Sequence, residues 1–133
     1  MLRIQLIPAK EIVKVTEDGK ADFGKMKELL DEISALTDAS QNFVIMVDAR
    51  QITPGLSTVD LWYLARELHE HGTTFNRRSA LLVRPDAINS AQLFALFAQN
   101  RGFLVNAFSS FEEAVDWLLP SSEASAAPPL QSP

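Results

Sequence analysis

Apolar positions along this chain recur at two periods, two residues in some stretches and three or four in others, and the changes of period mark its elements. Leu2, Ile4 and Leu6 alternate with Arg3 and Gln5, and Ile12, Val13 and Val15 follow Pro8-Ala9-Lys10-Glu11. Alternation on both sides of a short polar loop predicts two strands paired as a hairpin at the edge of a sheet. Asp22 then precedes Met26, Leu29, Leu30, Ile33 and Leu36 at helical spacing, while Lys25, Lys27, Glu28, Asp31 and Glu32 take the other face. This is the pattern of an amphipathic helix lying on the sheet. Each fully buried Leu or Ile contributes roughly 1.5–3 kcal/mol against a few tenths for an exposed charge pair, so the apolar stripe decides how the helix sits.

The run Phe43-Val44-Ile45-Met46-Val47 ends at Asp48, and Pro54-Gly55 leads into Ser57-Thr58-Val59-Asp60-Leu61. A continuous apolar run reads as a central strand buried on both faces and ending at Asp48; a hydroxyl residue with an acid three positions on reads as a helix start. That helix is predicted from Thr58 to His71, stopped by Gly72, with Leu61, Leu64, Ala65 and Leu68 inward and Trp62 and Tyr63 beside the stripe. Ser79–Val83 is a further buried strand. Ala87–Asn100 is a third helix with Leu93, Phe94, Phe97 and Ala98 inward, and Gly102 closes it. Phe103–Phe108 is the last strand. Ser110-Phe111-Glu112-Glu113 is a capping box that opens a final helix with Phe111, Ala114, Val115 and Leu118 inward.

The order β-β-α-β-α-β-α-β-α implies an α/β sandwich on a mixed, mostly parallel sheet, with right-handed crossovers between the parallel strands. At 133 residues and 47% hydrophobic content, one domain is large enough to bury a core. The pattern assigns residues 1–119 to that domain. From Pro120 onward the composition turns to Ser, Ala and Pro with Leu130 the only large apolar residue, so residues 120–133 are expected to be disordered. The segment Leu2–Ile7 is too short and too polar for a signal peptide or a membrane span, so neither secretion nor insertion is expected.

A net charge of −5 with a pI near 4.9 argues against nucleic acid or an anionic membrane as partner, since neither finds clustered cations here. The adjacent pair Arg77-Arg78 reads as a solvated approach to a strand. The absence of cysteine excludes disulfides, thiolate nucleophiles and Cys-ligated metals, and makes the cytoplasm the default location. The N-terminal edge strand offers a route to homodimers by strand pairing.

Asp48 and Ser57 stand nine residues apart, the first closing a buried strand and the second opening the next helix. In this the chain resembles the STAS domain family of sulfate transporters and bacterial anti-sigma-factor antagonists, where the third strand ends in Asp or Asn and a Ser or Thr opens the following helix. The likeness spans roughly residues 1–119 and extends to Ser79-Ala80-Leu81-Leu82-Val83, Leu93-Phe94, Gly102-Phe103-Leu104 and Phe108-Ser109-Ser110-Phe111-Glu112-Glu113-Ala114. Leu56 replaces the family's acid before the hydroxyl, and Val59-Asp60 replaces its Gly-Leu. The second helix with Trp62 and the closing Glu112-Glu113-Ala114-Val115-Asp116-Trp117-Leu118 look closer to the divergent STAS/SEC14-like branch. The resemblance implies a STAS-like sandwich, no enzymatic activity, a regulatory protein partner, and Ser57 as the position of a phospho-acceptor.

The candidate site residues are therefore Ser57, Thr58, Asp48, Arg50 and Arg84. Ser57 or Thr58 could carry phosphate at a helix N-terminus, whose dipole favours negative charge, or simply cap the helix. The same terminus could take a small anion with help from Arg50 or Arg84 if the loops converge. Asp48 as a general base lacks any partner nucleophile or oxyanion donor in motif form, and an Asp at a strand end ordinarily bonds the following turn. His69 and His71 point about 200° apart on a helix, which opposes a shared metal, and no cofactor is expected. Phe94, Phe97, Phe103, Phe108 and Phe111 read as core or as the lining of an apolar pocket. The sequence thus supports a STAS-like interaction module acting through Ser57, Thr58 and the exposed part of the second helix. The alternative is a SEC14-like carrier or sensor of a small apolar or anionic ligand held between the second and third helices.

Overall fold

The computed structural model describes residues 3–7, 12–37, 44–53 and 55–119. The loop at Pro8–Glu11, the turn residue Pro54 and the tail from Pro120 lie outside the described residues. Five strands, β1 (Arg3–Ile7), β2 (Ile12–Lys20), β3 (Val44–Thr53), β4 (Ser79–Leu82) and β5 (Val105–Phe108), form one sheet in chain order. β1 pairs antiparallel with β2, and β2 to β5 run parallel. The helices α1 (Phe23–Thr37), α2 (Thr58–Glu67) and α3 (Ile88–Gln99) connect successive parallel strands, and α4 (Phe111–Leu118) follows β5. This is the predicted order.

Side chains alternate across a strand, so the sheet divides the core in two. Val13, Val15, Ile45, Val47 and Val105 face α1, α2 and α3, which contribute Leu29 and Ile33, Ala65, and Ala95 and Ala98, with Leu68 added just past the end of α2. Ile12, Met46, Ala80 and Leu82 face α4, where Ala114 and Leu118 complete a second cluster. Three right-handed crossovers stepping the same way along the sheet place their helices on one face, which leaves the other to α4. The core stripe of α2 is the predicted one, with Leu61, Leu64, Ala65 and Leu68 all buried.

Several details differ from the sequence reading. β3 does not end at Asp48 but runs to Thr53, pairing Gln51, Ile52 and Thr53 with Asp18, Gly19 and Lys20. Between Thr16↔Asp48 and Asp18↔Gln51 the third strand spends one more residue than the second, a bulge that bends the ribbon. Pairing to β4 does stop at Asp48, opposite Leu82. α2 ends at Glu67, and a 3-10 turn over Leu68–His71 carries the chain to Gly72, whose φ of 59° is the left-handed conformation expected of a terminating glycine. On α3 the fully buried face is Ala91, Ala95 and Ala98, with Leu93, Phe94 and Phe97 half-buried. Small side chains at a contact let two elements approach closely, so the alanines and not the aromatics take the innermost row. At α4, Ser110 Oγ accepts from Glu113 N at 3.3 Å and itself lies 3.4 Å from Glu112 Oε1, so Glu112 occupies the hydroxyl where the capping box expects the Glu113 carboxylate to return to the Ser110 backbone. Arg77 and Arg78 are half-buried and engaged: Arg77 Nε donates to Thr74 O at 3.0 Å, and Arg78 Nη1 donates to Trp117 O at 2.6 Å while lying over the Trp117 ring. Arg78 thereby holds the carboxyl end of α4, where a cation is favourable.

Candidate functional site

Asp48 has the parity of Val44 and Met46, so its carboxylate faces α4. Lys14 confirms the placement: its Nζ lies 3.6 Å from Asp48 Oδ2 and 5.7 Å from the centre of the Phe111 ring, the first residue of α4. Arg50 folds back from the bulge and donates from Nε to Asp48 Oδ1 at 2.9 Å and from Nη2 to Oδ2 at 2.7 Å, while its backbone N–H reaches Oδ1 at 3.2 Å. Burial pushes the Asp48 carboxyl up, but the hydrogen bonds and charge of Arg50, with Lys14 behind it, outweigh burial and hold it below the ordinary carboxylate value. Asp48 is therefore an ionised brace of the bulge. Its hydrogen bonding also raises the Arg50 guanidinium.

Ser57 and Thr58 stand at the start of α2, on the other face of the sheet. Ser57 Oγ accepts from Asp60 N at 3.1 Å and Asp60 Oδ2 accepts from Ser57 N at 3.0 Å, a reciprocal capping box. Asp60 thus supplies its own anion to the α2 terminus. Arg84 forms a two-bond pair with Asp86, at 3.0 and 2.6 Å, and hydrogen bonding between the two raises the guanidinium and lowers the carboxyl. The structure brings Asp48 and Arg50 together, pairs Arg84 with its own neighbour, and joins none of them to Ser57.

A cavity of about 180 Å³ lies beneath α1, α2 and α3. Ser79, Leu81 and Val83 all line it, so it extends along the whole of β4, about 13 Å at ~3.3 Å per residue. α1 contributes Met26, Leu30 and Ile33, α2 contributes Leu61 and Leu64, and α3 contributes Ala91 and Phe94. Among the described residues Ser79 and Ser90 are the only polar side chains in the lining, and Ser79 Oγ already donates to Arg77 O at 3.4 Å. One end lies at the helix starts, lined by Ala21, Gly55, Leu56 and Ala87; the other is lined by Leu68, Phe75 and Val105. Ala49, Ala87 and Ala91 leave this space open where larger side chains would fill it. The chain backbone narrows the first end. A Cβ added to Gly55 would stand 2.5 Å from Ala21 O, so only glycine permits that approach. The expected pocket between the second and third helices is thus enlarged by α1, and of the five expected phenylalanines only Phe94 lines it.

The outer side of α2 exposes Val59, Trp62 and Tyr63, at 60, 40 and 44%. The Trp62 ring lies 4.8 Å from the Arg101 guanidinium and edge-on to Tyr63. The two histidines go to different neighbours: His69 lies tilted against Phe103 with ring centres 4.8 Å apart, and His71 lies edge-on to Phe75 with its Nε2 buried 3.5 Å from Asp31 Oδ1. Among the described residues no group of three metal-ligating side chains gathers, and no helix is long and apolar enough to cross a membrane.

No protein-family model matches the chain, and no curated protein does. Among solved structures it is similar to an uncharacterized protein of the DUF3478 family from Shewanella loihica, described as having a SpoIIAA-like fold. The two share 18% identity over 90% of this chain and 93% of that one, with a TM-score of 0.57. The fold is SpoIIAA-like. That is the fold of STAS domains and anti-sigma-factor antagonists, so the fold expected from the Asp48 and Ser57 spacing is the one observed. α2, which opens at Ser57 and Thr58, also forms one wall of the cavity. At this identity the likeness carries the fold and no function.

Proposed function

We propose that the chain is a non-enzymatic STAS-type binding module that takes a small apolar ligand into the cavity beneath α1, α2 and α3 and engages a protein partner through the outer face of α2. The observation that carries this reading is the cavity. Its lining among the described residues is apolar apart from the hydroxyls of Ser79 and Ser90, so water inside it finds few hydrogen-bond partners and a hydrocarbon group is favoured there. Apolar cavities near 150 Å³ stay dry and accept benzene, so this one suits a somewhat larger hydrocarbon group.

α2 links the two surfaces. Leu61 and Leu64 line the cavity while Val59, Trp62 and Tyr63 face outward on the same helix, so a ligand that shifts the inner row moves the outer one. The reciprocal cap between Ser57 and Asp60 supports a structural role for Ser57, because a phosphate there would meet the Asp60 carboxylate. The test is to compare the native mass of protein purified from its own host with its denatured intact mass. Extra mass lost on denaturation supports a bound ligand; a clean native mass together with failure to bind any hydrophobic probe contradicts it.

A further inference from the structure

We infer that the cavity selects an uncharged hydrocarbon-chain ligand and discriminates against the corresponding carboxylate, an inference that rests on the cavity being a ligand site. Three helices begin beside one end of it, and three converging N-termini would ordinarily draw an anion. Here each is already filled from within the chain. Asp22 Oδ1 accepts from Lys25 N at 2.8 Å at the start of α1, and Asp60 Oδ2 accepts from Ser57 N at the start of α2. Ahead of α3 a 3-10 turn takes the donors, Ala87 N bonding to Arg84 O at 2.9 Å and Ile88 N to Pro85 O.

The cations near this end offer little more. Arg84 is held in its two-bond pair with Asp86, and Arg50 is bound to Asp48 on the α4 side of the sheet. Lys20 lays its stem across Gly55, with its Cε 3.2 Å from where a Cβ would stand, and carries its ammonium into solvent. An ion pair at so exposed a position contributes little, and Asp22 and Asp60 oppose it from the neighbouring helix starts. Inside, among the described residues, the hydroxyls of Ser79 and Ser90 are the only polar side-chain groups, so a buried charge would find no ionic partner. The length of the cavity along β4 suits a linear chain, and an uncharged one can enter whole.

The test uses the full chain, freed of ligand, with the methyl NMR shifts of Leu64, Leu81 and Val83 followed at pH 7.5 as 1-hexanol, hexanoate or hexyltrimethylammonium is added. The expected result is half-saturation by 1-hexanol at a concentration at least tenfold lower than either ion requires, with Ala91→Leu raising the 1-hexanol requirement at least tenfold. Hexanoate acting within tenfold of 1-hexanol overturns the selectivity, and so does a Lys20→Gln variant that weakens hexanoate alone. None of the three shifting these methyl groups overturns the cavity as a ligand site.

Discussion

Replacing Ala91 by Leu separates a genuine cavity from a well-packed core by the sign of its effect. Ala91 is 9% exposed, sits in the first turns of α3 and lines the cavity beside Val83 and Ala49. Leu adds three carbons, each contributing ~0.8 kcal/mol when moved from water into apolar surroundings, for an upper bound of about 2.4 kcal/mol. Some rotamer restriction offsets this, leaving an expected gain of about 1–2 kcal/mol in ligand-free protein. For a domain of this size that is a rise in Tm of roughly 4–8 °C. In a core packed to ordinary density the same substitution would lower stability by about 1–3 kcal/mol. The assay is urea unfolding of protein stripped of ligand by unfolding and refolding, since a bound ligand would stabilise the unsubstituted chain alone. Val83→Ile, one carbon larger in the same wall, is expected to gain less than about 0.8 kcal/mol. A loss of 1 kcal/mol or more in Ala91→Leu, with Val83→Ile also destabilised, would refute the cavity.

Other outcomes follow from the polar groups and the outer surface. Ser57→Ala removes the α2 cap and is expected to lower stability by about 1 kcal/mol in urea unfolding; an effect under about 0.3 kcal/mol would mean the cap is idle. Asp48→Asn is expected to cost about 1–3 kcal/mol at pH 7 by leaving Arg50 and Lys14 without their anion. The Asp48 pKa is lowered in the fold, so its contribution is complete above the unfolded value near ~3.9 and fades as pH falls through the lower folded value; the gap to Asp48→Asn should hold from pH 7 to about 5 and narrow toward pH 3. A gap that does not change with pH removes the ionic explanation. Trp62→Ser combined with Tyr63→Ser should abolish retention of a copurifying protein partner while shifting Tm by less than about 2 °C, because both rings are substantially exposed; retained binding places the partner elsewhere.

Much of the fold was legible because its elements obey simple periods. The stripe Leu61, Leu64, Ala65 and Leu68 fixes how α2 faces the sheet, and Ser57 with Asp60 three residues on marks where it starts. The far half of β3 was not legible, since Arg50, Gln51 and Thr53 carry no apolar alternation and are held by pairing to β2 and by the Asp48 brace. The face of α3 was legible in part: Ala98 is buried and Phe94 and Phe97 pack against the core as expected, whereas Ala91 and Ala95 went unnoticed because size was taken as a guide to burial. For the site, one available signal was parity: Asp48 follows Val44 and Met46 by even steps and so must point away from the face that carries α2. The cavity left only a trace in the sequence, as the small residues Ala49, Gly55, Ala87 and Ala91. A void is defined by what three helices fail to fill together, and no local pattern encodes that.

The central claim is that an apolar ligand enters beneath α1, α2 and α3 and nowhere else. The most direct measurement is a methyl-resolved NMR titration of the ligand-free protein with 1-hexanol. Shifts are predicted at the methyl groups of Leu64, Leu81, Val83 and Val105, while those of Ile12, Leu82 and Leu118 on the α4 side stay in place. Shifts centred on the α4 side, or no shifts up to the solubility of the alcohol, would contradict the account.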